Sequence, residues 1–215
     1  MDSFPILNIK YSLKFEQQRI KYVLSKIDWF RNNGYSIMLP GENGISDINN
    51  ETSLELLLSQ AYLEYDESFY VTTETAIQDQ WEFFMKYWPI NETGFSGLNF
   101  LNSYDIYLTS YGVRGSYDLP DIIIVNVRLR DISQLHTILF HEMIHIAIEA
   151  QIRKYSISHW YKERLVDLLY KRLLPTVAFE QNLPKEVLHV DHIFEKYYGD
   201  METIIKTIGT TLPKI

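Results

Sequence analysis

The chain has 215 residues, enough for one substantial domain, and its 46% hydrophobic and 22% charged residues describe an ordinary globular protein rather than a disordered or fibrous one. Its 20 Lys plus Arg against 28 Asp plus Glu give a net charge of −8 with no long basic cluster, which argues against nucleic acid as a partner, because a phosphate backbone is held mainly by grouped cations. Cysteine is absent, so disulfides, thiolate nucleophiles and every cysteine-containing zinc site are excluded.

The N-terminal stretch "MDSFPILNIKYSLKFE" lacks a basic region followed by an apolar run of about 7–15 residues, and no run reaches the length of a membrane span. A soluble, cytoplasmic protein with no membrane association is therefore expected. "KFEQQRIKYVLSKIDWFRNNG" places Phe15, Ile20, Val23, Leu24, Ile27 and Phe30 at helical spacing, with Gly34 as a left-handed cap. "YSIMLP" reads as a short strand and "GENGISDINN" as a loop. Thr52 and Glu55 form a capping box before the helix "LELLLSQAYLEY", and "TAIQDQWEFFMKYW" is a further aromatic helix stopped by Pro89. The segments "YDIYLTSY" and "DIIIVNV" read as strands, the second buried on both faces, with the turn-rich "GVRGSYDLP" between them. Asp131 and Gln134 resemble a capping box opening a central helix from about Ile132 to about Ile152. Ser156 or Ser158 caps the helix "HWYKERLVDLLYKRLL", which Pro175 ends, and a last helix runs from about Asp191. The expectation is a single α+β domain in which residues 1–103 are a mainly helical elaboration and 104–215 carry the chemistry.

The central helix contains "ILFHEMIHIAIEA", an oily run interrupted by His141, Glu142 and His145. Burying such groups without partners costs roughly 2–7 kcal/mol each, more for a charge, so something must satisfy them. Residues four apart on a helix are neighbours about 5–6 Å apart, so His141 and His145 can both offer a ring nitrogen to one ion, for which zinc is the candidate. Glu142, one position round the helix, stands beside that ion and can take a proton from a water that the metal acidifies. The bland alternative is a pair of hydrogen-bonded core histidines.

A third ligand must come from elsewhere. The spacing that would place another histidine at 151 after a glycine at 148 is excluded by Ile148 and Gln151. Downstream, "KERLVD" supplies Glu163 and, four residues later on the same helical face, Asp167. Glu163 can reach the ion while Asp167 accepts a proton from a ligand imidazole. The competing view makes these residues part of an exposed charged face, in salt bridges with Lys162, Arg164 and Lys171. His159, one turn before Glu163, is a second candidate for the third ligand. Glu163 is preferred because Asp167 is then explained too, which leaves His159 as a helix-start residue or a support behind the ligands.

Together "HEMIH" and "ERLVD" resemble the zincin metallopeptidases of the gluzincin type, over about residues 121–174. The stretch "RGSYDLPDIIIVNVRL" is also similar to the strand region of SprT-like minimal zincins, in which a histidine is the third ligand. The resemblance implies a zincin-like domain with a small sheet packed against a central HExxH helix and a second ligand-bearing helix. It further implies Zn2+ as cofactor, hydrolysis of a peptide or protein substrate, Glu142 as general base, Glu163 as third ligand, and Asp167 supporting a ligand histidine. A group that stabilises the oxyanion is also needed. Tyr117, Tyr170, His189 and His192 are candidates, whereas His136 reads as a first-turn helix residue. A reading from a different class keeps the zinc site but makes the protein a regulatory or partner-binding module with little turnover. SprT-like processing of DNA-bound proteins is disfavoured by the charge of −8.

Overall fold

The computed structural model of the chain describes residues 5–41, 54–85, 94–129, 131–174 and 183–213. The architecture is α+β, and it divides into two compact units, Met1–Phe83 with Ser103–Leu139 and Phe84–Asn102 with Phe140–Ile215. Residues 104–215 therefore contribute to both.

The first unit holds a four-stranded mixed sheet in the order β1-β2-β4-β3. Its strands are β1 (Ile6–Lys10), β2 (Ser103–Thr109), β3 (Gly115–Asp118) and β4 (Ile122–Asn126). β1, β2 and β4 run parallel, and β3 turns back antiparallel to β4. The middle strands are the apolar ones, as the sequence indicates. On β2 Tyr104, Ile106 and Leu108 are buried, and β4 buries Ile123, Ile124 and Val125 in succession, the pattern of a strand covered on both faces. The edges differ from the sequence reading. β1 lies in a stretch that shows no strand signal of its own, and its polar side chains are anchored across the ladder, Asn8 (3.2 Å) and Lys10 both donating to the Asp105 carboxylate. β3 occupies the segment read as turn-rich. "YSIMLP" reduces to one antiparallel bridge, Met38 with Gly112.

The helix expected over 14–34 is two helices, α1 (Leu13–Ser25) and α2 (Ile27–Asn32), parted at Lys26, where ψ is 10°. Ser12 caps α1 by accepting from the Phe15 N–H (3.1 Å). Gly34 does close α2 at φ 70°, the Gly34 and Tyr35 N–H groups donating to Arg31 and Phe30 carbonyls as in a Schellman motif. Ile20, Val23 and Phe30 pack with Leu57 and Ala61 of α3 (Leu54–Glu64) and with Tyr111 and Val113. The next helix, α4 (Glu67–Met85), starts at Glu67 rather than Thr75, with the Asp66 carboxylate accepting from the Ser68 N–H (3.0 Å). The capping partner Thr52, the loop over 42–50 and the stops at Pro89 and Pro175 lie outside the described residues.

The long helix α5 (Leu135–Lys154) begins in the first unit and continues into the second. Asp131 is a cap as expected, accepting from the Ser133 N–H (2.9 Å), but it opens a single 3-10 turn, Ile132–Gln134, ahead of α5. The second unit adds α6 (His159–Leu173), α7 (His189–Lys196) and α8 (Met201–Thr211). The single terminal helix of the sequence reading is thus two helices. Gly199 breaks it at φ 92°, where a Cβ would lie 2.9 Å from the Gly94 carbonyl oxygen, and Asp200 restarts it by accepting from the Thr203 N–H (3.0 Å). No described helix is long and apolar enough to cross a membrane.

One buried carboxylate ties α1 to the sheet. Glu16 accepts from the Ser110 N–H (2.8 Å), the Thr109 hydroxyl (2.5 Å) and the Tyr70 hydroxyl. Burial pushes its carboxyl above the ordinary carboxylate range although these donors pull the other way. The folded chain then holds this proton more tightly than the unfolded chain. The associated stability is present below the unfolded pKa and is lost as pH rises through the folded value. In Glu16→Gln that loss disappears, so the wild-type unfolding free energy should fall relative to the variant as pH rises above about 4.5. Urea titrations of both proteins check this, and a difference that stays constant with pH contradicts it.

Candidate metal centre

Two consecutive helices build the site. α5 ends in a Schellman turn, in which the Ser156 N–H donates to the Arg153 carbonyl (3.2 Å) and the Ile157 N–H to the Ile152 carbonyl (3.1 Å). Ser156 occupies the left-handed position at φ 53°, so it ends α5 and is not the cap of the next helix. Ser158 takes that place by backbone geometry, without a side-chain cap bond. This tight turn returns the chain as α6, which brings Glu163 to the histidines of α5.

His141 and His145 lie one turn apart, with their Nε2 atoms 3.0 Å apart and their ring planes 75° from parallel. Glu163 Oε2 stands 3.6 Å from the first and 3.4 Å from the second. A tetrahedral ion with ligand atoms at about 2.0–2.2 Å holds them about 3.3–3.6 Å apart. The two distances to Glu163 fall in that range, and the histidine pair, at 3.0 Å, lies a little short of it. Among the described residues these are the three His, Cys, Asp or Glu side chains that form a group able to hold a metal ion. His159 lies on the other side of the carboxylate, its Nδ1 3.7 Å from Glu163 Oε1.

Burial separates this arrangement from an exposed charged face. His141 is 5% exposed, Glu142 6%, His145 2%, Glu163 6% and Asp167 2%, so the salt-bridged surface considered for Glu163 and Asp167 is overturned. The neighbouring cations turn elsewhere. Arg164 donates to both oxygens of Asp191 (2.7 and 2.5 Å), and Lys162 approaches Glu149 (3.9 Å).

The electrostatics follow from that burial. Desolvation pushes the His145 imidazole down to about 4, assisted by the charges of His141 and Lys162, so it is neutral at physiological pH. Burial also lowers His141, but the carboxylates of Glu163, Glu142 and Asp167 outweigh it and hold that ring above its ordinary value. For Glu163 burial is likewise outweighed by the two histidines, and its carboxyl lies well below the usual range. Asp167 is pushed up to about 6, first by burial, and its Oδ1 is buried with no hydrogen-bond partner. Three carboxylates thus crowd two imidazoles in a dry interior, an excess of negative charge that a divalent cation would neutralise.

The remaining candidates are dispersed. Tyr170, on α6, is fully buried with its ring against Phe140 (centroids 5.5 Å apart), while His189 and His192 are exposed on α7. Tyr117 is on β3, in the first unit. His136 sits in the first turn of α5 as expected, and its Nδ1 lies 3.3 Å from Gln80 Oε1. Sequence reading passed over Glu149, which is buried one turn beyond His145 and bound by Arg153 (2.8 Å). The i, i+4, i+8 run of His141, His145 and Glu149 was the available signal. Comparison of the chain with known families, curated proteins and solved structures finds no match.

Ser156 carries a side chain in a conformation that favours glycine, in the turn on which the site depends. Ser156→Gly should raise the unfolding free energy by about 0.5–1 kcal/mol with no change in metal content. Thermal and urea unfolding measure the first, metal analysis the second, and a destabilised variant counts against the strain.

Proposed function

We propose that this protein is a zinc metallopeptidase of the zincin type, with His141, His145 and Glu163 as ligands and Glu142 as general base. The observation that carries the reading is the convergence of three buried ligand atoms, 3.0, 3.4 and 3.6 Å apart, from two helices. Zinc in this position supplies Lewis acidity to a carbonyl and lowers the pKa of a coordinated water from about 15.7 to about 7. The rest of the work belongs to side chains. Glu142 is on the ligand helix next to His141, close enough for its charge to raise the basicity of that ring, and is free of a ligand's role. It accepts the water proton and delivers it to the leaving amine, as a general base and then a general acid. Asp167 adds its charge beside His141 from α6 and favours the ring orientation in which Nε2 faces the ligand cluster.

Wild-type protein purified without chelators should contain one zinc per chain. Glu142→Gln should keep that metal and the fold while peptide hydrolysis disappears, since the residue moves a proton and is not one of the three ligands. Hydrolysis that survives the change removes Glu142 from the reaction, and a protein whose wild-type form carries zinc but turns over no peptide belongs to the regulatory class instead. Glu163→Ala should lose zinc on dialysis, whereas His159→Ala and Asp167→Asn should weaken binding only about 10–100-fold. Retention of zinc in Glu163→Ala with loss in His159→Ala reverses the ligand assignment.

A further inference from the structure

The two helices that supply the ligands share a second contact that the proposed chemistry does not use. On α5 the face bearing His141 and His145 continues one turn on to Glu149, a carboxylate nearly as buried as the ligands. On α6 the residue immediately before Glu163 is Lys162, whose Nζ lies 3.9 Å from Glu149 Oε2 with only 17% of its side chain exposed. Arg153, a turn further along α5, holds the other Glu149 oxygen at 2.8 Å.

Adjacent helical residues point about 100° apart, so Glu163 and Lys162 leave α6 in different directions, yet both end on α5. A single contact between two helices leaves one free to roll about its axis and to slide along it. Two contacts of opposite sign, from neighbouring residues to neighbouring turns, remove both freedoms. The pattern is also selective in charge. A slip of α6 by one residue in one direction sets the Lys162 ammonium against the histidines and Tyr161 against Glu149, and in the other direction sets Glu163 against Glu149 and Arg164 against the histidines, so either slip costs the complementary pairing in a dry interior.

From this we infer that Lys162 and Glu149 are positioning residues, an interhelical ion pair that sets the roll and register of α6 so that Glu163, and no other side chain, is presented to the two histidines. The inference rests on the metal reading given above.

The test uses the full chain, with zinc affinity measured by chelator competition and ligand geometry by the visible absorption of the cobalt-substituted protein. Lys162→Met keeps the aliphatic stem and removes the charge, and Glu149→Gln keeps the shape and removes the opposite charge. Each should weaken zinc binding about 10–100-fold and shift the cobalt bands, and Lys162→Arg should restore both. The exchanged pair Glu149→Lys with Lys162→Glu should recover more affinity than either single exchange. If both single neutral variants lower the unfolding midpoint of the metal-free protein but leave zinc affinity and the cobalt spectrum as in wild type, the pair serves stability alone and the inference fails. A wild-type protein that binds no zinc overturns the metal reading itself, an outcome plainly distinct from wild-type binding that the variants do not alter.

Discussion

The candidate site depends on the burial of charge on α5 and α6. His141, Glu142, His145, Glu163 and Asp167 are all removed from water, and an ionised side chain left alone there is worth several kcal/mol of destabilisation. With His145 pushed down to about 4 and therefore neutral, two imidazoles cannot balance three carboxylates. The molecule lowers that imbalance partly by protonation, Asp167 being raised to about 6. The ion proposed for the triad would lower it further. Met143 and Ile144 on α5 and Leu165, Val166 and Leu169 on α6 are buried too, and the low local dielectric of such an interior keeps each interaction strong.

What was legible beforehand is what local spacing encodes. A 3.6-residue period marks α1, α3, α5 and α6, a two-residue period marks β2, and an unbroken β-branched run marks β4, and these elements lie close to where the sequence places them. The i, i+4 relation of His141 to His145 and of Glu163 to Asp167 is equally local, so the members of the cluster were identifiable before any coordinates. Their meeting was inferred from chemistry. That Glu163 and His159 both lie on α6 is also visible in the sequence, but which of them faces the histidines depends on the roll of that helix, which no periodicity specifies.

Elements set by distant partners were not legible. β1 is five residues long and becomes a strand by pairing with β2, whose first residue, Ser103, aligns with Ile6. Nothing inside "ILNIK" announces a partner so far along the chain. β3 was hidden because Gly115, Ser116 and Asp118 suit a turn, and only the register against Ile122–Val125 of β4 makes them a strand. The terminal helix divides because Gly199 must pass close to the Gly94 carbonyl, a tertiary approach that a helical period running through both halves conceals. Lys162 entered only as a salt-bridge partner in the exposed-face alternative for Glu163 and Asp167, and Glu149 was passed over, since ion-pair partners on two different helices leave no trace in either helix alone.

The choice of third ligand turns on how firmly α6 is held. His159 and Glu163 share one face a single turn apart, so exchanging them at the cluster requires α6 to slide about 5.4 Å along its axis. Such a slide parts Lys162 from Glu149. It also breaks the two-pronged contact of Arg164 with Asp191, at 2.7 and 2.5 Å, which fastens α6 to α7. The short Schellman turn at Ser156 leaves no slack to absorb a displacement of that length. Each restraint is modest, yet all three act on one rigid helix and oppose the same motion. In the observed register Glu163 Oε2 faces both imidazoles, and His159 stands behind the second oxygen at 3.7 Å. The carboxylate thereby fills the position through which His159 would have to pass, so a three-histidine arrangement needs Glu163 to leave before His159 can enter.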